Sequence, residues 1–268
     1  PESIPVVAVR VGALPMALPV AETMLTALCG NSLSGLVEVD LSGASWLAAR
    51  DAPALAARFL ASPFLKKLTT FTIRASDLSQ DFIVDMCAAI NASTTTQGGY
   101  GCISSLRVLD LAQNLIGDAG VTALMGVLSQ SLSLSNCLTT IVLSHNPIGD
   151  GAARALAQWL AAPRPSTGYT GLAVQHQHAP YRATAIQHAL LRSTLIADAG
   201  CTALAAALAW STTLRTLDLA GSNKLSHEGA AALSHLAQIN ESLDCLRFLH
   251  YHLSSQALNA MRLMFRFE

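Results

Sequence analysis

The sequence predicts a curved α/β solenoid, with a parallel sheet on the concave side and helices on the convex side. Three observations lead to this prediction. Residues 105–130 have the pattern of one short strand followed by one amphipathic helix. The same pattern recurs about every 30 residues along the chain. A unit this short cannot bury its own apolar side, so consecutive units must cover one another.

The best-formed unit, residues 105–130, begins with a strand. Its leucines have the spacing L-x-x-L-x-L, which points alternate residues of an extended chain to one side. They are Leu106, Leu109 and Leu111. Residues 117–120, Gly-Asp-Ala-Gly, predict a turn in which Asp118 caps the following helix. Apolar residues then recur three and four positions apart on one helical face, at Val121, Leu124, Val127 and Leu128.

Copies of this unit account for the whole chain. Eight first positions are in phase, at Ile4, Leu36, Leu68, Leu106, Leu138, Ile186, Leu214 and Leu243. Two gaps are longer than the others and contain residues 91–104 and 161–184, which have loop composition. We therefore expect one domain over residues 1–268 with loop insertions near 91–104 and 161–184. Each insertion falls between a helix and the next strand, which places both on the same edge of the solenoid.

The spacing of leucines followed by Asn114 and Ile116 resembles a leucine-rich repeat of the long, helix-containing, ribonuclease-inhibitor-like subfamily. In that family the Asn side chain hydrogen-bonds the backbone of neighbouring turns and forms a ladder along the solenoid. Asn114 and Asn146 fit this role. At the equivalent positions of other repeats stand Ala44, Ser76, Thr194 and Ser222. The resemblance therefore implies an incomplete ladder and less regular early repeats.

Composition limits the classes of partner. Formal net charge is −1, which gives no signal for nucleic acid or anionic lipid. Hydrophobic residues make up 51% of the chain, yet no window of about 18 residues lacks charges or breakers, so no membrane span is expected. Charged residues are only 12%. Either alanine-rich helices explain this scarcity, or other proteins of a large complex cover the surface. A homo-oligomer is not indicated.

The cysteines indicate the redox compartment, and the two chain ends indicate how the solenoid is bounded. Six cysteines are scattered without a C-x-x-C pair, which suits a reducing, intracellular compartment and argues against zinc. Residues 4–21 could be a signal peptide, but their spacing is in phase with the next repeat. Neither end has the polar unit that usually caps a solenoid. The chain is thus expected to continue into more protein or to dock its ends on partners.

The candidate partner-binding residues lie on the concave face and in the insertions. Outward-facing strand positions supply Glu38, Asp40, Arg74, Asp110, His188, Arg192, Asp218 and Arg247. In this set the acidic side chains lie mainly in the first half and the basic ones in the second. Tyr100, Tyr169 and Tyr181 give the insertions aromatic anchors of the kind enriched at interfaces. The same residues could equally form a plain solvated surface.

No catalytic residue, cofactor or metal is expected. The pairs His176/His178 and His250/His252 lack further donors at fixed spacing, and residues 98–101, although glycine-rich, precede a strand rather than a helix. The sequence favours a non-enzymatic protein–protein interaction module, a scaffold subunit of a large intracellular assembly. The resemblance leaves two alternatives: a leucine-rich-repeat GTPase-activating protein, or the sensor repeats of a larger innate-immune-like protein. Fold alone does not decide among them.

Overall fold

Eight short parallel strands form one open sheet in which strand order follows chain order. The structure is a computed structural model that describes residues 8–12, 16–28, 35–62, 65, 67–97, 105–130, 137–161, 185–209, 211–221 and 224–248. The strands are β1 (Ala8–Arg10), β2 (Glu38–Asp40), β3 (Thr70–Thr72), β4 (Val108–Asp110), β5 (Thr140–Val142), β6 (His188–Leu190), β7 (Thr216–Asp218) and β8 (Cys245–Arg247). The α/β solenoid of eight repeats is therefore confirmed.

Within those residues, one α-helix precedes each strand from β2 onward. The helices are α1 (Leu18–Leu28), α2 (Ala52–Leu60), α3 (Gln80–Gln97), α4 (Asp118–Gln130), α5 (Asp150–Ala161), α6 (Asp198–Leu208) and α7 (His227–Ile239). Each helix packs against the next one in the chain. Each unit is thereby covered by its neighbours, as the repeat pattern requires.

The sheet register places the predicted core leucines in one row. The central residue of each strand pairs with the central residue of the next, and this row contains Val39, Phe71, Leu109, Ile141, Ala189, Leu217 and Leu246. None of these side chains is more than 6% exposed. A continuous core therefore runs between the sheet and the helices, and the predicted phase of the leucines is confirmed.

A ladder of asparagines joins the middle repeats, as the resemblance implied. Asn146, only 3% exposed, donates to the carbonyls of Leu111, Leu143 and Ser144 over 3.0–3.3 Å. Its Oδ1 accepts from the Ile116 amide at 3.0 Å. Asn114 makes the same kind of contacts to the repeat before it.

The ladder is incomplete towards the start of the chain. Ser76 accepts from the Gly43 amide at 2.8 Å, so its hydroxyl keeps only part of the asparagine's role. Ala44 has no polar group to offer, and the turn after it winds into a 3-10 helix, Ser45–Ala48, that buries Trp46. The second repeat is accordingly irregular, in line with the expectation.

Asp118 caps a different helix from the one predicted. It is the first residue of α4, and its carboxylate accepts from the amides of Gly149 and Gly151, at 2.6 and 3.0 Å, at the start of α5. Asp150 binds the start of α6 in the same way, through the amides of Ala197 and Gly200. Each carboxylate meets the positive end of the next helix, so these aspartates join repeats rather than close their own turns.

Asp198 makes the same kind of contact with the start of α7, and these hydrogen bonds affect its pKa. Burial raises the pKa of Asp198, but hydrogen bonds from the Ser226 hydroxyl and amide and from the Gly229 amide outweigh it. The pKa of Asp198 in the folded protein is therefore below the ordinary value of an aspartate. An acid whose pKa falls on folding adds stability above its unfolded pKa of about 3.9, and this stability is lost as pH falls through the folded pKa.

We predict that Asp198→Asn flattens the acid limb of the stability curve, because the variant has no charge to lose. Urea denaturation followed by circular dichroism at neutral pH and at about pH 3 measures the difference. Asp51→Asn is the matched control, since the Asp51 side chain makes no capping hydrogen bond. Its curve should follow that of the wild type. Equal acid sensitivity in the wild type and the Asp198 variant would contradict the assignment.

The first predicted insertion is partly wrong. Helix α3 continues to Gln97, so residues 91–97 are helical rather than loop. Their asparagine and threonines lower helix propensity without ending a helix, and the first breaker is Gly98. Residues 98–104 and 162–184 lie outside the described residues, as do the histidines of both H-x-H pairs.

Candidate binding surface

The concave surface consists of two parallel rows of outward-facing side chains. The third positions of the strands form one row, which holds Arg10, Asp40, Thr72, Asp110, Val142, Leu190, Asp218 and Arg247. The first positions form another, which includes Glu38 and His188. Six of the eight predicted concave residues therefore lie in these two rows, and Arg74 and Arg192 come two residues after the ends of β3 and β6.

Two ion pairs lie on the first half of this face. Arg10 contacts Glu38 at 2.9 Å and Arg74 lies 3.7 Å from Asp110. Burial raises the pKa of Asp110, while the Ala112 amide and Arg74 act to lower it and nearby Asp40 acts to raise it. Arg10 was absent from the predicted set, although its place in the first strand pattern was the signal that could have found it.

Three aspartates of the third row also stabilise the ends of their strands. Asp40, Asp110 and Asp218 each accept a hydrogen bond from the amide two residues later, at 2.9–3.0 Å. This local turn satisfies a backbone donor where the strand ends. Part of the reason for an aspartate at these positions is therefore structural, and sequence reasoning missed it.

The second half of the face has one ion pair, in which only the aspartate is nearly buried, and one arginine without an ion-pair partner among the described side chains. Arg247 lies 3.9 Å from Asp218, whose side chain is only 9% exposed. His188 Nδ1 lies 3.0 Å from the Thr216 hydroxyl. Arg192 is exposed and has no ion-pair partner among the side chains that the structure describes. Arg192 is therefore available to a ligand.

The centre of the face carries no charge between Asp110 and His188. Its half-buried side chains come from β4, β5 and β6 and are Val108, Thr140, Val142 and Leu190. Ion pairs flank this centre on both sides, Arg74 with Asp110 and Arg247 with Asp218. An apolar centre with a polar surround is the usual composition of a protein-binding surface.

The pairing changes the expected charge pattern. Acidic and basic groups were predicted to separate between the two halves, but Glu38, Asp110 and Asp218 each face an arginine. The charges on this surface are therefore largely balanced by their neighbours, which leaves little long-range electrostatic field. Tyr100, Tyr169 and Tyr181 lie outside the described residues, so their role stays a prediction.

Two observations on the described residues concern metal binding and thiol reactivity. These residues contain no cluster of three or more histidine, cysteine or acidic side chains that could hold a metal ion. Burial raises the pKa of the Cys87 and Cys201 thiols to about 12, which keeps both protonated and poorly nucleophilic. No helix in the described ranges is long and apolar enough to cross a membrane.

Comparison with known proteins gives one sequence match and several distant structural ones. The Leucine Rich repeat family model matches residues 103–125, 134–157 and 211–234. No curated protein matches the chain by sequence. Actin-binding site 2 of leiomodin-1 is similar at 13% identity and a TM-score of 0.44, over 81% of this chain and 87% of that chain.

Two further solved structures show the same level of likeness. One is the Rad7–Elc1 complex of yeast, at 12% identity and a TM-score of 0.39, over 91% of this chain and 64% of that chain. The other is an internalin from Listeria monocytogenes, at 15% identity and a TM-score of 0.39, over 91% and 70%. Likeness this distant carries no functional argument. The matched segments, the in-phase leucines and the strand–helix units show that this chain contains leucine-rich repeats and folds as a leucine-rich-repeat solenoid.

Proposed function

We propose that this protein is a non-enzymatic interaction module that binds a protein partner on its concave face. The observation that carries the proposal is the charge-free centre formed by Val108, Val142 and Leu190, bordered by ion pairs. A nucleic acid would require a basic surface, whereas the concave arginines largely face carboxylates. A protein surface with its own apolar centre fits the arrangement better.

Several finer statements belong to the same proposal. The chain is a member of the ribonuclease-inhibitor-like subfamily, supported by the α-helix that follows most of its strands. It acts as a scaffold subunit of a large intracellular assembly, supported by its low charged content of 12%. Residues 1–268 form a single domain, supported by the one sheet that joins all eight strands.

The test compares proteins co-purified with wild type and with two concave variants. Val142→Lys places a charge in the centre, and Arg192→Glu reverses an exposed positive charge. Arg154→Glu is the matched control, because Arg154 is an exposed arginine on α5, on the opposite side of the solenoid. We expect both concave variants to lose the same partner, which mass spectrometry identifies, and Arg154→Glu to retain it. Retention by both concave variants would refute the proposed surface.

Choosing Arg192 avoids a side effect on folding. Reversal of Arg247 would leave a like charge beside Asp218, which is nearly buried, so lost binding could reflect lost structure. The GTPase-activating alternative has its own assay. Purified protein should leave GTP hydrolysis by small GTPases unchanged, and acceleration would favour that alternative over the scaffold.

A further inference from the structure

A second apolar surface lies on the edge where strands lead into helices. It comprises Leu115, Pro147 and Leu195, which occupy the same position in three consecutive repeats; we call it the rim ridge. Leu115 is 57% exposed, Leu195 is 46% exposed, and Pro147 is also exposed. The ridge is separate from the concave face and lies on the edge opposite the predicted insertions.

The fold does not require apolar residues at this position. The residue after each ridge member points into the core, and these residues, Ile116, Ile148 and Ile196, are at most 1% exposed. In the neighbouring repeats the same outward position holds Asp77 and Lys224, both exposed. Charged side chains are thus compatible with the turn, and three successive apolar ones need another explanation.

The ridge is held rigidly by the preceding repeat. The Leu115 amide donates to the Leu78 carbonyl at 2.9 Å, and the Leu195 amide donates to the Ile148 carbonyl at 2.7 Å. Isolated parallel bridges pair Ser79 with Leu115 and Ala197 with Lys224. The backbone beneath the exposed side chains is therefore fixed, and a partner would not have to order it on binding.

Opposite charges mark the two ends of the ridge. Asp77 precedes Leu115 by one repeat and Lys224 follows Leu195 by one repeat. Neither side chain has an ion-pair partner in the part of the chain that the structure describes. The ridge thus presents an acidic end, an apolar middle and a basic end.

The spacing of the ridge matches one kind of secondary structure. Adjacent strands are about 4.8 Å apart, so the repeats of Leu115 and Leu195 lie about 10 Å apart along the solenoid and the repeats of the two charges about 19 Å apart. An α-helix rises about 5.4 Å per turn. A helix lying along the edge would place one residue per turn over each ridge member and would reach both charges with about 14 residues.

We propose that the rim ridge binds an amphipathic helix of a partner protein. The helix carries apolar residues on three successive turns, a basic residue over Asp77 and an acidic residue over Lys224. This site is independent of the concave face and of the function proposed for it. It would allow the module to hold two partners at once.

The test uses the complete chain and synthetic fluorescent helical peptides of about 18 residues. The matching peptide has leucines on three successive turns, lysines at one end and glutamates at the other. Fluorescence anisotropy should show binding to wild type and about a tenfold loss with Leu115→Ser/Leu195→Ser. An unchanged melting temperature in that variant shows that the fold is intact, because both side chains are exposed.

Charge and helicity controls make the outcome decisive. Asp77→Lys should shift preference to a peptide with glutamates at both ends, and Arg154→Glu, at an exposed arginine on α5, should leave rim binding unchanged. Prolines within the leucine stripe should abolish binding. Absence of binding to wild type, equal binding by the serine variant, or equal binding of the proline peptide would each overturn the proposal.

Discussion

Asn146→Ala is expected to lower the free energy of unfolding by about 3–5 kcal/mol, the largest effect among the predicted variants. The substitution removes four hydrogen bonds at a site that is 3% exposed. Ile116 is fully buried, so its amide, which the Asn146 side chain satisfied, is left without an acceptor. Each buried unpaired group costs about 1–3 kcal/mol.

Urea denaturation monitored by circular dichroism measures this loss, and hydrogen exchange locates it. The Ile116 amide should lose protection first, because Asn146 Oδ1 is its acceptor. Gln158→Ala on α5 is the control: Gln158 is exposed, and a change below about 0.5 kcal/mol is expected. A loss no larger than that of the control would show that the ladder contributes little to the joining of repeats.

Asn146→Asp separates the two functions of the side chain. A carboxylate can still accept from the Ile116 amide, but it cannot donate to the carbonyls of Leu111 and Leu143. A buried carboxylate facing carbonyl oxygens has a raised pKa. Stability of this variant should therefore be lowest at neutral pH and should rise on acidification, which is opposite to the behaviour expected of Asp198.

The core could be predicted from sequence because its signal is local. Leu106, Leu109 and Leu111 lie within six positions of one another, and strand alternation alone fixes the side to which they point. The same rule placed Asp110 and Arg192 on the concave face. Side-chain periods of this kind need no knowledge of distant partners.

Contacts between repeats were not predictable in the same way. Asp118 was expected to cap its own helix, yet its partners are amides about one repeat further along the chain. The pairing of Arg74 with Asp110 likewise depends on which strands lie side by side. Sequence shows that both residues face outward, whereas the distance between them follows only from the register of β3 and β4.

The helical state of residues 91–97 shows a different limit. Polar composition indicated a loop, but composition is only a correlation and the segment contains neither glycine nor proline. With no breaker before Gly98, α3 continues to Gln97. The ridge formed by Leu115 and Leu195 was missed for another reason: these leucines stand beside core isoleucines, and apolar residues in a repeat suggest a core.

Gly200→Ala should destabilise the protein by about 2–3 kcal/mol, although alanine is the better helix former. A Cβ at this position would lie 2.6 Å from Asp150 Oδ1 and 2.8 Å from the Ala153 Cβ. Ala153 is part of α5 and cannot turn aside, and Asp150 is held by two amides of the next repeat. The methyl group would therefore push α5 and α6 apart.

Gly126→Ala is the matched control with the opposite sign. Gly126 also lies within a helix, but a Cβ there would meet nothing within 4 Å. Relief of glycine's backbone entropy should stabilise this variant by about 0.5–1 kcal/mol. Opposite signs at two helical glycines cannot arise from helix propensity, so they would identify the close approach of α5 and α6 as the cause.

A double-mutant cycle with Ala153→Gly completes the argument. Ala153→Gly alone should cost about 1 kcal/mol through helix propensity. In its presence, Gly200→Ala should cost less, because one of the atoms that its methyl group meets has been removed. A coupling free energy above about 0.5 kcal/mol is expected from urea denaturation of the four proteins. Strict additivity, with Gly200→Ala as costly in the Ala153→Gly background as in the wild type, would mean that contact with Ala153 does not set the spacing of these helices.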